Sequence, residues 1–379
     1  MRIESKPGVG IGLIGSGFMG RCHANAFGAV AGLFDLPADP VKSILADATE
    51  GIAAAGAAAL GFARATSDWQ AMVQDDSVDI VAIAAPNDLH EPMALAAIAA
   101  GKTVYCEKPL STTAGSALKM TRAAEAADVV TSVGFNFLRN PMIGFARQMI
   151  DSDEIGEITG FRGRHAENYM ASPDAPHSFR TDPQGGGALT DIGSHILSLA
   201  RHLLGPVVEV NGHARTIFPD RPVVAGSAER RPVVVDDMTH ALLRFASGVS
   251  GSIEANWAAT GRTLDLSFEV TGTKGAIAFT QERMNELLVY SGSGQKAGYQ
   301  RIEAGPAHPP YGSFCPAPGH HLGFNDLKVI EVAQLVQAHI ERGSCMPDFR
   351  EAYEVQKTVE AIQSSAQTRE WATVSATPP

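Results

Sequence analysis

Three groups of residues have the types and spacing to do chemistry. Gly15, Gly17 and Gly20 lie in the run Gly15-Ser16-Gly17-Phe18-Met19-Gly20, Lys108 lies in Glu107-Lys108-Pro109, and Gly185-Gly186-Gly187 precedes Asp191 and His195. In the first group one glycine permits a tight turn, the next lets a pyrophosphate approach the backbone, and the third lets a helix close on its strand. Phe18 and Met19 count with this seat. Glycines also make plain turns, so the weight comes from context: an apolar run from Val9 to Ile14 precedes them and a helix-like stretch from Arg21 to Val30 follows. Asp47 ends the next apolar run. A carboxylate there accepts hydrogen bonds from both ribose hydroxyls and repels a 2′-phosphate, which favours NAD over NADP; the alternative is a solvated strand-end aspartate.

Residues that end the strands of an open α/β sheet face its cofactor crevice, so Lys108 falls where nicotinamide and substrate should meet. An ammonium there can hydrogen-bond the reacting oxygen and stabilise a developing alkoxide. The bland reading is a surface lysine before a turn proline. Asp191 and His195 are four apart on a predicted helix and so share a face. An imidazole, with an ordinary pKa of about 6.5, can take a hydroxyl proton, and the carboxylate would orient substrate hydroxyls or the imidazole. Such a pair is also an ordinary helix-face contact. Arg164, His165, Asn168, Arg180 and Asp182 precede the glycine triplet and would suit a polyhydroxylated substrate or, equally, solvent; His320 and His321 are weaker candidates.

The motifs Ala85-Pro86-Asn87-Asp88-Leu89-His90, Glu107-Lys108-Pro109 and Gly185-Gly186-Gly187-Ala188-Leu189-Thr190-Asp191-Ile192-Gly193-Ser194-His195 occur in order, followed by Lys328-Val329-Ile330-Glu331 and Pro347-Asp348-Phe349. Together they resemble the glucose-fructose oxidoreductase/inositol dehydrogenase/rhizopine-catabolism (Gfo/Idh/MocA) family across nearly the whole chain. The resemblance implies an NAD-dependent dehydrogenase that oxidises a hydroxyl of a sugar, inositol or related polyol. It implies catalytic roles for Lys108, Asp191 and His195, and a nucleotide cleft lined by Pro86, Asn87, His90, Glu107 and Lys108. It further implies a cis peptide before Pro109 and a homodimer or homotetramer associated through the second domain's sheet. Two other activities occur on this pattern: cleavage of glycosidic bonds with retained NAD, and non-catalytic regulation by bound dinucleotide. Lys108, Asp191 and His195 argue against the second.

The elements that must position these groups follow from periodicity. Through about residue 136, short apolar runs alternate with helical stretches, among them Val41–Ala46, Glu50–Leu60, Val78–Ala85, His90–Ala100, Thr103–Cys106, Thr113–Ala127 and Val129–Phe135. That alternation predicts a Rossmann domain, a doubly wound parallel sheet, over 1–136. Gly32 to Pro40 is expected as a long loop, and Ser67 with Gln70 as a capping box. Residues 137–379 are expected to form an α+β substrate-binding and oligomerisation domain with a large, mainly antiparallel sheet. Its predicted strands include Val207–Gly212, Val233–Phe245, Gly251–Trp257, Leu264–Thr271, Ala276–Thr280 and Leu287–Ser291; Gly292–Gly319 reads as loop, and two helices close the chain.

A chain of 379 residues with 45% hydrophobic and 19% charged residues suits two globular domains. The net charge of −11 and the absence of a basic stripe argue against nucleic-acid binding. No apolar run approaches a membrane span or a secretory leader, and four cysteines without paired spacing fit a reducing compartment, so a cytoplasmic location is expected. Hydride transfer needs no metal, and no ligand spacing suggests one.

Overall fold

The computed structural model describes residues 6–292 and 294–375. The chain forms two compact units, one comprising 1–139 with 323–353 and the other 140–322 with 354–379.

In the first unit six strands, β1 (Gly8–Ile14), β2 (Asp39–Ala46), β3 (Arg64–Thr66), β4 (Ile80–Ile83), β5 (Thr103–Cys106) and β6 (Thr131–Val133), form a parallel sheet in the order β3-β2-β1-β4-β5-β6. Helices α1 (Phe18–Leu33), α2 (Glu50–Leu60), α3 (Trp69–Gln74), α4 (His90–Ala99) and α5 (Ala114–Ala127) make the connections. Every residue of β4 is fully buried, as expected of a strand covered on both faces. The order reverses between β1 and β4, and ligands bind at such a point, beyond the carboxyl ends of the strands. Two local expectations are corrected. Helix α1 continues through Gly32, so only residues 34–38 separate it from β2. Helix α3 is capped by Asp68, which accepts from the Ala71 N–H, because the Ser67 hydroxyl is drawn to Glu50 at 2.6 Å.

The second unit begins with α6 (Pro141–Asp151) and β7 (Ile158–Ala166), and after a long polar loop reaches α7 (Ser194–Leu204). Strands β8 (Val207–Arg215), β9 (Asp220–Pro222), β10 (Arg230–Pro232), β11 (Met238–Phe245), β12 (Ser250–Asn256), β13 (Asp265–Gly272), β14 (Ala276–Thr280), β15 (Glu286–Ser291) and β16 (Gly298–Glu303) follow. Helices α8 (Phe324–Glu341) and α9 (Phe349–Thr368) and strand β17 (Ala372–Thr373) end the chain. The large sheet runs β16-β15-β14-β13-β7-β12-β11-β8-β17, antiparallel except where β7 meets β12. Strand β11 alternates buried and exposed residues, so one face of the sheet lies in the core and the other is uncovered.

A single division at 136/137 does not describe this chain. Helix α8 buries Leu327, Val329, Ile330, Val332, Leu335 and Val336 and belongs with the first unit, which the chain leaves again at Tyr353. The expected loop 292–319 contains β16. Of the strand expected over Val233–Phe245 only Met238–Phe245 forms, as β11; residues 233–237 lie outside any strand, and there Asp236 and Asp237 turn their carboxylates to hydrogen-bond partners. Asp237 accepts from Arg221 at 3.0 Å, from the Trp257 indole N–H at 2.7 Å, and from the backbone N–H groups of Ile217 and Phe218. Arg221, fully buried, also donates to the carbonyls of Met170 and Ser172 and so pins the loop after β7. Removing one partner of a buried ion pair strands the other, at about 3–5 kcal/mol. Asp237→Leu is expected to lose stability in that range by urea unfolding; a loss below about 1 kcal/mol would contradict this account of the loop.

Candidate active site

In the first unit the glycine turn meets three separate steric demands. Gly15 has φ +95°, and a β-carbon there would stand 2.6 Å from the Ala84 carbonyl oxygen. At Gly20 a β-carbon would come within 2.0 Å of the Gly15 carbonyl oxygen, so a side chain would force α1 off its turn. A β-carbon at Gly17 would meet nothing within 4 Å: the backbone there faces open space at the amino end of a sixteen-residue helix. That combination fits a pyrophosphate, which needs unobstructed N–H groups and the positive end of the helix dipole. Phe18 is exposed and stacks on Phe324, with ring centroids 6.1 Å apart; Met19 is half-buried.

Asp47 ends β2 as the sequence implies. Its Oδ2 accepts from the Ser16 N–H at 2.8 Å and hydroxyl at 2.6 Å, and Oδ1 accepts from the Ala48 N–H at 2.7 Å. Partial burial pushes its pKa up, but these bonds outweigh it and hold the carboxylate ionised. Ser16 thus ties the glycine turn to the strand-end carboxylate of Asp47. Beyond β4, Pro86 is exposed and Asn87 opens a short 3₁₀ turn. His90 is wholly buried, its Nδ1 2.9 Å from the Pro109 carbonyl and its Nε2 3.0 Å from the Ala85 carbonyl. It therefore braces the loop that carries Pro86 and Asn87, and its ring nitrogens face protein carbonyls.

Beyond β5, Lys108 is half-buried and the Lys108-Pro109 peptide is cis. Glu107 turns inward: its Oε1 lies 2.7 Å from His23 Nε2 on α1 and 2.8 Å from Lys328 Nζ on α8, and its Oε2 accepts from the Lys108 N–H at 3.3 Å. Lys328 also donates to Glu331 at 2.9 Å and to the Tyr105 hydroxyl at 3.0 Å. Burial alone would push the Glu107 carboxyl up; Lys328 and His23 overcome it and hold it far below the usual carboxylate range.

In the second unit the glycine triplet shapes the turn that carries Asp191 and leads to His195. Gly185 and Gly187 have positive φ. A β-carbon at Gly186 would stand 2.3 Å from the Arg180 carbonyl oxygen, and one at Gly187 would stand 2.3 Å from Asp236 Oδ1. The triplet therefore lets residues 180–182 close onto the turn and brings Arg180 Nε to 2.9 Å from Asp191 Oδ2. The Tyr169 hydroxyl donates to the same oxygen at 2.8 Å. Arg180 lies over the Tyr169 and Phe179 rings, 5.4 and 4.6 Å from their centroids. Asp191 sits in a π-turn, Leu189–Gly193, that leads into α7, and His195 is the second residue of that helix; such turns recur at functional sites. Asp236 caps this turn by accepting from the Leu189 N–H at 2.9 Å.

His165 is buried, with Nδ1 2.8 Å from the Ile192 carbonyl oxygen and Nε2 2.9 Å from Glu167. Its ring centroid is 5.5 Å from that of His195. The structure thus gathers His165, Tyr169, Arg180, Asp191 and His195. Arg164 is not part of this group: strand alternation turns it to the other sheet face, where it pairs with Asp265. Asn168 and Asp182 are exposed turn residues, Asp182 accepting from the Gln184 N–H, and His320 and His321 are exposed on the 305–322 loop. Tyr169, Glu167 and Asp236 have no sequence motif of their own. A hint lies in Asp236-Asp237 interrupting an otherwise apolar strand. Among the described residues no group of three or more His, Cys, Asp or Glu could hold a metal ion.

A parallel sheet in this order, with an open glycine turn and a strand-end carboxylate, defines a dinucleotide-binding oxidoreductase. Residues 9–135 match the NAD-binding Rossmann fold of the oxidoreductase family, and 144–278 match the GFO/IDH/MocA C-terminal domain. The chain belongs to the Gfo/Idh/MocA family. It is 38% identical to levoglucosan dehydrogenase of Pseudarthrobacter phenanthrenivorans over 96% of this chain and 97% of that one. It is 28% identical to scyllo-inositol 2-dehydrogenase (NAD(+)) of Bacillus subtilis over 74% and 77%. The structure of levoglucosan dehydrogenase with NADH and levoglucosan is similar at a TM-score of 0.94, with 38% identity over 97% of this chain and all of that one.

Because Gly17 is open and Gly20 is not, the two alanine variants should behave differently. Gly17→Ala is expected to melt within a few degrees of wild type while binding NAD about tenfold or more weakly, since its methyl obstructs the phosphate approach. Gly20→Ala is expected to lose stability as well. Calorimetry and NAD titration separate the two, and equal behaviour would contradict the assigned roles.

Proposed function

We propose that this chain is an NAD-dependent dehydrogenase of a cyclic sugar or polyol, with Lys108, Asp191 and His195 as its catalytic residues. The observation that carries the site assignment is the Asp191 carboxylate, held by Tyr169 and Arg180 on the turn that leads into His195. NAD, when bound, accepts the hydrogen of the carbinol carbon with its electron pair. The Lys108 ammonium hydrogen-bonds the substrate hydroxyl oxygen and steadies the negative charge it gains. The His195 imidazole takes the hydroxyl proton. Asp191, its pose fixed by two donors, orients a neighbouring hydroxyl. Arg180, with Tyr169 and Phe179 beneath it, adds a planar donor and two aromatic faces, which suit a ring that has both hydroxyls and C–H faces. His165 holds the turn through the Ile192 carbonyl and so sets the orientation of His195.

On the NAD side, Gly15, Gly17 and Gly20 receive the pyrophosphate and Asp47 the ribose hydroxyls, and its charge disfavours a 2′-phosphate. The strongest guide to the substrate is the likeness to levoglucosan dehydrogenase over nearly the whole length, so levoglucosan is the first sugar to test and the inositols the next. The same reading includes a cytoplasmic enzyme and self-association through the uncovered face of the nine-stranded sheet, where Leu242, Tyr290 and Tyr299 are exposed. Sedimentation at micromolar concentration tests the association.

A screen of levoglucosan, inositols and aldoses with NAD and with NADP is expected to yield NADH from a cyclic polyol and much less NADPH. Lys108→Ala should lower kcat by about a thousandfold while leaving NAD affinity within a few fold. Turnover by that variant near the wild-type rate would refute its role.

A further inference from the structure

We propose that Glu107 and Lys328 are positioning residues for the reaction: their buried ion pair, with His23 and Glu331, fixes the Lys108 peptide against the helix that carries the pyrophosphate seat. The inference rests on the assignment of Lys108 to the reacting oxygen.

Three elements of the first unit meet at one carboxylate. Glu107 Oε1 receives His23 from α1 and Lys328 from α8, while Oε2 receives the backbone N–H of Lys108 itself. His23 is in the first turns of the helix capped by Gly17, so the pyrophosphate seat and the lysine-bearing strand end are joined through two hydrogen bonds. The pocket is made for that carboxylate: a β-carbon at Gly134, beside it on the chain after β6, would stand 2.7 Å from Glu107 Oε1. Lys328 and Glu331 are fully buried and sit three residues apart on one face of α8. Neither belongs to the dehydrogenase chemistry proposed above, yet both are charged groups in a core, where ions persist only when paired.

The charges in this cluster balance. Glu107 and Glu331 supply two negative charges, and Lys328 and the Arg139 guanidinium, 4.0 Å from Glu331, supply two positive ones. His23 and Tyr105 complete it as neutral members; their rings lie 4.4 Å apart, and Cys22 adjoins them on α1. Burial lowers the His23 pKa, and its Nδ1 has no hydrogen-bond partner among the described residues, so a second ring proton would be buried unpaired. Lys328→Met removes one positive charge and leaves the cluster negative. Uptake of one proton restores the balance, and His23, 2.7 Å from Glu107 Oε1, competes for it with the Glu107 and Glu331 carboxylates.

The test uses the full-length enzyme and reads the His23 imidazole by NMR alongside kcat against pH. In wild type His23 should stay neutral through the range around pH 6.5 where a free histidine titrates. In Lys328→Met its pKa should rise. In that variant kcat, taken relative to wild type at the same pH so that the pH dependence of the general base cancels, should fall about 10- to 100-fold where His23 is deprotonated and recover part of that loss as falling pH protonates it, with NAD affinity little changed. A merely structural role would lower the melting temperature but leave the pH profile of kcat and the His23 titration as in wild type, and that result overturns the proposal. If Lys328→Met does not fold, His23→Leu and His23→Gln decide. Glutamine places a donor near the lost Nε2 and should restore most of the kcat lost in the leucine variant; equal kcat in the two overturns the proposal. Wild type that makes NADH while the variants keep its profile refutes this inference alone. Wild type that oxidises no sugar or polyol refutes the dehydrogenase reading and this inference with it, while the His23 titration still shows whether the cluster responds to Lys328.

Discussion

A carboxylate buried under the end of a parallel strand is the constraint on which the first unit turns. An ionised glutamate in a core is tolerated only with a full set of partners, and losing one from a buried pair costs about 3–5 kcal/mol. Glu107 has such a set, drawn from α1, α8 and the next residue's backbone. One of its partners, Lys328, comes from α8, a helix that also buries an apolar face, and residues 323–353 accordingly join a unit they are far from in sequence.

The second unit solves a different problem, that of presenting a charged side chain at a fixed angle on a mostly apolar helix. Gly186 and Gly187 allow an approach that no side chain would permit, Asp236 caps the π-turn, and the buried Arg221–Asp237 pair holds the preceding loop. Asp191 then receives donors from Tyr169 and Arg180 that fix its carboxylate. Orientation set in advance in this way reduces what must be rearranged at the moment of reaction.

The fold class was legible because its signals are local. Alternating apolar runs and helical stretches mark a doubly wound sheet, and the glycine spacing marks the phosphate turn. Lys108, Asp191 and His195 stood out for the same reason, each lying in a short motif. What the sequence concealed was set by tertiary contacts. Ser67 had the spacing of a cap but bonds Glu50, so Asp68 caps instead. Arg164 and His165 are adjacent in sequence, yet strand alternation sends them to opposite faces, a distinction that needs the sheet's covered side to be known. Tyr169, Asp236 and the partners of Glu107 act across separations in sequence that no periodicity records, and α8 read as an ordinary closing helix although its Lys328 and Glu331 are fully buried.

In the proposed reaction the hydrogen on the oxidised carbon passes to NAD while the protons move through side chains. Levoglucosan or an inositol that the enzyme turns over, deuterated at the carbinol carbon, tests this directly by mass spectrometry of the cofactor. One deuterium is expected in each NADH formed, with slower turnover of the labelled sugar. Deuterium released to water, with no label in the cofactor, would contradict it.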